Sequence, residues 1–320
     1  MSVERMIGNN MSNKFIPPHP LNTAVLFLVF NRLDTTKQVF EAIREAKPPR
    51  LYIAADGARV DKDGENKKVE AVREYILSNI DWDCEVKTLF RENNLGCKMA
   101  VSSAIDWFFD NEEMGIILED DCLPSQSFFW FCEELLERYK DDMRVGQISG
   151  DNFQKGIKRG DADYYFSIYN HIWGWASWAN RWEKYDVELD TITDTKFIKN
   201  LFQNNNTKSY WLQVYENMKM KKIDTWDYQW TFTLWNNNQL TVLPNINLIE
   251  NIGFGEDATH TISEGEFANL KKHDIDLKKY TQDIVQDKEA DDYTSKLMFN
   301  KKNIFERIIN KIKRTIKGHK

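Results

Sequence analysis

The sequence predicts an α/β fold: a mainly parallel central sheet flanked by helices, with a helical C-terminal extension. Two observations predict it. Short apolar runs alternate with amphipathic helical stretches four times in the first 120 residues, and three of those runs stop abruptly in polar or acidic residues. A chain of 320 residues, 42% hydrophobic, is long enough to bury such a sheet.

Taken in order, residues 1–22 are polar, carry Pro17, Pro18 and Pro20, and read as a flexible lead-in. Residues 24–30 are wholly apolar and predict a buried strand. The following helix takes Asp34 as N-cap, buries Val39, Phe40 and Ile43, and ends near Pro48. Residues 50–55 predict a second strand that stops at Asp56-Gly57. Val69, Val72, Ile76 and Ile80 then mark one face of a second helix. Residues 85–90 form the third strand and 95–109 the third helix. The fourth strand, from Gly115, ends in three adjacent carboxylates, Glu119, Asp120 and Asp121, with Pro124 close behind.

Strand, helix, strand units of this length connect in a right-handed sense and bind ligands beyond the carboxyl ends of their strands. Asn31-Arg32, Asp56-Gly57 and the acidic triple are therefore expected at one edge. Three like charges there repel and lose hydration unless a cation or donor groups meet them, which points to a metal and a polar ligand. The plain alternative is a solvated acidic turn. No Gly-x-Gly-x-x-Gly or Walker sequence follows the first strand, which argues against a dinucleotide oxidoreductase or a P-loop enzyme.

Further on, residues 125–140 predict a helix, 145–149 a strand leading to Asp151 and Asn152, and 164–168 another strand. The stretch 171–182 holds four of the eleven tryptophans. Trp173 and Trp175, with small residues between them, suit a sugar-sized cleft, because aromatic faces stack on apolar sugar surfaces. Trp178 and Trp182, four residues apart, are equally read as core packing. Residues 208–220 and 226–235 predict helices, and 240–243 and 246–249 strands. The main domain is expected to span 23–262 and the extension 263–320.

Cys84, Cys97, Cys122 and Cys132 are irregularly spaced, which predicts four free thiols in a cytoplasmic protein. No apolar run reaches the roughly 20 residues of a membrane span, and residues 1–22 do not read as a secretory leader. The net charge is −7, but residues 301–320 carry eight basic residues against one acid. The remainder is too acidic to suit nucleic acid.

These motifs together resemble the nucleotide-sugar glycosyltransferases of the GT-A (Rossmann-like) fold, and within them the N-acetylglucosaminyltransferase I group and its bacterial relatives. The resemblance covers about residues 23–262. It rests on Val29-Phe30-Asn31-Arg32, Asp56-Gly57, Leu118-Glu119-Asp120-Asp121, Trp173-Gly174-Trp175 and Trp226-Asp227-Tyr228-Gln229-Trp230. It implies an inverting transfer of GlcNAc or another hexose from a UDP-sugar to a glycan hydroxyl. Asp121 is similar to the acid that binds Mn²⁺ or Mg²⁺, Asp120 to one facing ribose or metal-bound water, and Glu119 to one facing donor sugar hydroxyls. Asp56 resembles the acceptor of the uracil N–H and Arg32 the cation beside the nucleotide. Arg91 and Lys98 are candidates for the diphosphate, although residues 91–98 match the group only loosely. Asp227 looks like the catalytic base, with Asp151 as rival. His260, in a Gly-rich loop, would complete the metal shell. Asp151, Asn152, Trp173, Trp175 and Trp226 would line the acceptor or sugar pocket.

Structural alternatives stand beside these roles: a turn residue for Asp56, a helix N-cap for Asp227, a surface histidine for His260. Two other functions stay open, a non-catalytic carbohydrate-binding protein and a sugar-nucleotide pyrophosphorylase, the latter disfavoured by Asn31-Arg32-Leu33-Asp34 where a Gly-rich loop is expected. In the tail, Ile304, Phe305, Ile308, Ile309, Ile312 and Ile316 share one helical face amid basic residues. Such a helix suits an anionic membrane surface, and so a peripheral enzyme of surface polysaccharide or lipopolysaccharide synthesis, or it packs on protein.

Overall fold

The computed structural model describes residues 15–253 and 270–299. Its elements, in chain order, are β1 (Ala24–Val29), α1 (Leu33–Ala46), β2 (Arg50–Ala55), α2 (Glu65–Ser78), β3 (Glu85–Phe90), α3 (Gly96–Phe109), β4 (Met114–Glu119), β5 (Cys122–Pro124), α4 (Gln126–Tyr139), β6 (Val145–Ser149), β7 (Tyr164–Ser167), β8 (Trp175–Trp178), α5 (Ala179–Trp182), α6 (Lys196–Leu201), α7 (Asn205–Lys219), α8 (Asp227–Asn236), β9 (Leu240–Pro244), β10 (Ile249–Asn251) and α9 (Lys288–Met298). Eight strands form one sheet in the order β3-β2-β1-β4-β8-β6-β9-β7, and β10 pairs with β5 in a small second sheet.

The first four strands are parallel, with β1 between β2 and β4. All six β1 residues are buried because helices cover both faces, as a parallel strand requires. Val25, Phe27 and Val29 face the core shared with α1, α2 and α4. The alternate residues Ala24, Leu26 and Leu28 face the core shared with α3 and α8. Each buried Val, Leu or Phe here contributes about 1.5–3 kcal/mol. A third cluster joins α6, α7 and α8 around Trp211 and Trp235.

Beyond β4 the sheet is mixed. β8 lies antiparallel between β4 and β6, pairing Ile117 with Trp175 on one side and Ser149 with Trp175 on the other. Trp173 and Trp175 are expected to line a cleft; instead Trp175 opens a fully buried strand, Trp175–Trp178, at the heart of the sheet, and Trp178 packs in the core. Helix α1 begins at Leu33 with Arg32 as N-cap, so Asp34 sits in the first turn, where its charge still favours the helix dipole. The strand expected at 246–249 is displaced to Ile249–Asn251. The Asn247 side chain holds the preceding residues as a turn, donating to the Ile249 carbonyl at 2.7 Å and accepting from Asn152 N–H at 3.0 Å.

Within the described part of the extension, only Lys288–Met298 is helical. Residues 270–287 run without helix along the domain, where Asp274 accepts from Ser127 N–H at 3.0 Å and Gln286 bridges to Phe166. Among the described residues no helix is long and apolar enough to cross a membrane. His260 and the basic tail at 301–320 lie outside the described residues. All four cysteines are free thiols.

Candidate active site

Because β1, β2 and β4 run in parallel, their carboxyl ends emerge side by side. At the end of β1, the Arg32 guanidinium donates from Nη2 to Asp120 and, at 2.9 Å, to Asp121 Oδ2. Asp120 is almost wholly buried, and burial pushes its carboxyl up to about 6 despite the opposing pull of Arg32. Burial also works against the charge of Arg32, but the two carboxylates hold its pKa above the ordinary value. Glu119 is pushed further, to about 8, first by burial and then by the charges of Asp121, Asp120 and Asp227. Its Oε1 is sealed from solvent and has no hydrogen-bond partner among the described residues.

Asp227, one of those charges, lies near Glu119 although it comes from a different element. Asp227 opens α8, and the Thr225 hydroxyl donates to its Oδ1. Cys97 feels both sides: its thiol is pushed up to about 12 by burial and then by Glu119, Asp227, Asp224 and Asp56. The strand-end carboxylates and Asp227 therefore share one charged neighbourhood. Over it passes the chain leaving β10: Ile252 N–H donates to the Asp121 carbonyl at 2.8 Å. A Cβ added at Gly253 would stand 2.2 Å from Asp121 Oδ2, so only glycine lets the backbone lie against that carboxylate.

The other sequence candidates are placed as follows. Asp56 joins the end of β2 to the start of α3, accepting from Gly57 N–H at 2.9 Å, Leu95 N–H at 3.0 Å and Gly96 N–H at 3.2 Å. Arg91 donates to the Ser103 hydroxyl at 2.8 Å, and Lys98 pairs with Glu188 at 2.8 Å. Trp175 and Trp226 do not line a pocket. They are 0% and 2% exposed and stack on each other at 5.7 Å in the core beneath α8, because both fall on apolar faces of elements packed against the sheet. Asn152 is also structural, since its amide donates to the Pro244 carbonyl and its oxygen accepts from Gln154 N–H. Trp173 is partly exposed and packs edge-on to Phe153. Asp151, fully buried at the end of β6, bonds His171 Nδ1 at 2.8 Å.

The sequence reading missed Cys97, Gly253 as the support of Asp121, and His171 as the partner of Asp151. His171 stood inside a stretch dominated by tryptophans, and no spacing rule links it to a residue twenty positions earlier.

The donor set suits a hard divalent cation: carboxylate oxygens at a strand end beside an unpartnered, buried glutamate oxygen. Among the described residues no group of three or more His, Cys, Asp or Glu stands ready to hold a metal alone. The arrangement fits a cation held by one or two carboxylates and completed by phosphate oxygens, the usual manner for Mg²⁺ with nucleotides.

No family model matches the chain, and no curated protein does. Solved structures similar to it include a mannosyltransferase, PcManGT from Pyrobaculum calidifontis, in complex with GDP-Man and Mn²⁺ (11% identity, 68% of this chain and 70% of that one, TM-score 0.35). Another is the glycosyltransferase GlyE of Streptococcus pneumoniae TIGR4 (10% identity, 69% and 45%, TM-score 0.36). A third is S. aureus TarS (8% identity, 72% and 60%, TM-score 0.38). Scores of this size distinguish neither family nor chemistry, and the functional reading rests on the site.

Proposed function

We propose that the chain is an inverting, metal-dependent glycosyltransferase that moves GlcNAc or another hexose from a UDP-sugar to a hydroxyl of a glycan acceptor, in bacterial surface polysaccharide or lipopolysaccharide synthesis. The observation that carries the reading is the single neighbourhood shared by the Arg32, Asp120 and Asp121 cluster, Glu119 and Asp227 at the carboxyl ends of the strands. Asp121 would hold Mn²⁺ or Mg²⁺, with His260 as a further ligand. When bound, the cation supplies a counter-charge for the diphosphate as it leaves.

The chain's own residues do the rest. Arg32, already bonded to two carboxylates, keeps a fixed positive charge beside the diphosphate. Asp56, Arg91 and Lys98 would border the nucleotide. Glu119, with its carboxyl held at about 8, carries a proton at neutral pH in the cation-free chain and presents both a donor and an acceptor to sugar hydroxyls. Asp227, its carboxylate steadied by the Thr225 hydroxyl, takes the proton of the acceptor hydroxyl as that oxygen attacks the anomeric carbon opposite the diphosphate. One displacement of this kind inverts the anomeric centre. Residues 301–320 would hold the enzyme at the cytoplasmic face of an anionic membrane, and deleting them should abolish flotation with liposomes.

The test is calorimetric titration of UDP with and without Mn²⁺, followed by a donor screen that measures UDP release. Mn²⁺-dependent UDP binding is expected; its absence would favour the carbohydrate-binding reading. Asp227→Asn should keep nucleotide affinity and lose about 10²–10⁴-fold in transfer. Normal turnover by that variant would remove Asp227 from the role of base.

A further inference from the structure

We propose that His171, oriented by Asp151, is a sugar-binding residue that accepts a hydrogen bond from a hydroxyl of the acceptor. This role rests on the transferase reading and adds to it a residue that binds the acceptor. An ionised carboxylate only accepts, so Asp151 Oδ1 fixes the proton of His171 on Nδ1 and leaves Nε2 as a lone-pair acceptor when the ring is neutral. The two side chains are 7% and 1% exposed. Yet His171 Nε2 and Asp151 Oδ2 have no partner among the described residues. Each such atom costs about 1–3 kcal/mol unless a ligand or water meets it.

Poor packing does not explain these atoms. The His171 carbonyl accepts from Ser149 Oγ at 2.7 Å and Gln147 Nε2 at 2.6 Å, and Trp230 Nε1 in turn donates to Gln147 at 2.6 Å. The backbone of His171 is thus fixed by β6 and α8 while its ring edge is left unpaired. One face of that ring stacks on Phe153 at 4.4 Å, and Phe153 meets the edge of Trp173 at 5.2 Å. Buried polar atoms beside an aromatic wall are the chemistry of sugar recognition, where hydroxyls bond and apolar faces stack. Trp173, at the outer end of this aromatic wall, is partly exposed.

The pair also stands on the right side of the sheet. β6 runs parallel to β4 with only β8 between them, so Asp151 emerges at the same edge as Asp121.

The experiment labels the full chain with ¹⁵N-histidine and assigns the His171 signal among the five histidines through His171→Gln. The wild type should show a ring protonated at Nδ1, and methyl glycosides of glucose, galactose, mannose or N-acetylglucosamine should shift its Nε2 resonance. Asp151→Asn should change the tautomer and weaken that shift. If no glycoside moves the resonance, with or without UDP and Mn²⁺, the orphaned atoms hold internal water only and the proposal fails. In turnover, His171→Gln should raise the acceptor KM about tenfold with the donor KM unchanged; an unchanged acceptor KM overturns it. Failure of the transferase reading would show separately, as absent UDP binding by the wild type, and leaves the resonance titration to decide.

Discussion

The two ends of the parallel strands differ in how their charges are grouped. At the amino ends, Arg181 is 0% exposed and spends its guanidinium on main-chain carbonyls: Val145 at 3.2 Å, Lys140 at 2.8 Å, Tyr139 at 2.9 Å and Asp142 at 3.0 Å. Its plane also lies 4.3 Å over Trp178. Just before β4, Glu112 accepts from Arg50 at 2.7 Å and from the Tyr52 hydroxyl at 2.8 Å. At the carboxyl ends, like charges crowd together, and Glu119, Asp151 and His171 each keep a buried atom unpaired. Groups that are satisfied within the protein stabilise it, whereas groups left open are a cost that only a ligand offsets.

The comparison breaks most visibly at Arg181. Replacing it with Met leaves four carbonyls at the end of α4 and the start of β6 without their donor. Arg181→Met should lose about 3–5 kcal/mol, read as a fall in denaturation midpoint or as insoluble protein. An unchanged midpoint would mean that water takes over the carbonyls and that the amino end is no better secured than the site.

The opposite end should respond with the opposite sign. Glu119 has its pKa raised from 4.5 to about 8 in the folded chain, so the unfolded chain gives up this proton first as pH rises. Stability is therefore undiminished below the ordinary carboxylate value and falls as pH climbs through the window up to about 8. Glu119→Gln, which keeps the shape without the charge, should raise Tm by a few degrees at about pH 8 and by little at about pH 5. Mn²⁺ should raise the wild-type Tm at the higher pH more than that of the variant. Equal Tm values at both pH values would show that the acidic edge is not strained by its own charge.

How far this contrast could be read beforehand follows from which contacts are local. The strand 50–55 is legible residue for residue, because its apolar run ends where Asp56-Gly57 turns. The meeting of Arg32 with Asp120 and Asp121 is also legible, since parallel strands must release their ends side by side. β8 is not: Trp-Ala-Ser-Trp neither alternates nor forms a long apolar run, and its strand character comes from insertion between β4 and β6. The Trp175 and Trp226 stack joins residues 51 positions apart, so aromatic density alone did not tell core from cleft. The pairing of Asp151 with His171 was hidden for the same reason.

Gly253 gives a sharper and smaller test of the site without touching a charge. Gly253→Ala brings a methyl to 2.2 Å from Asp121 Oδ2 and 2.8 Å from Asp121 Cβ, so the carboxylate must turn aside and the chain at 253 give way slightly. Mn²⁺-dependent UDP affinity should drop about tenfold with only a small fall in the denaturation midpoint. Gly57→Ala, whose methyl would stand 2.4 Å from the Asn93 main chain, should instead lower the midpoint, because backbone yields less readily than a side chain. If both variants lose stability equally, the chain over Asp121 is part of the scaffold.

The smallest effect is the most direct reading of the field at the carboxyl edge. Cys97 is partly exposed, yet its thiol stands at about 12 through burial and four carboxylates, so alkylation at neutral pH should be much slower than for an ordinary thiol. Peptide mapping separates it from Cys84, the other partly exposed cysteine, which lies at the far end of β3. Neutralising Asp227, in Asp227→Asn, should speed alkylation of Cys97 at neutral pH and leave Cys84 alone, whereas Glu119→Gln should do so only above about pH 8, where Glu119 is ionised. Mn²⁺ without nucleotide should do the same, because a cation on Asp121 offsets the negative field that holds the proton on sulfur. Cys97 rates that ignore both Asp227→Asn and the cation would separate Asp227 from the strand-end carboxylates, and with it the shared neighbourhood on which the assignment of acid, cation and base depends.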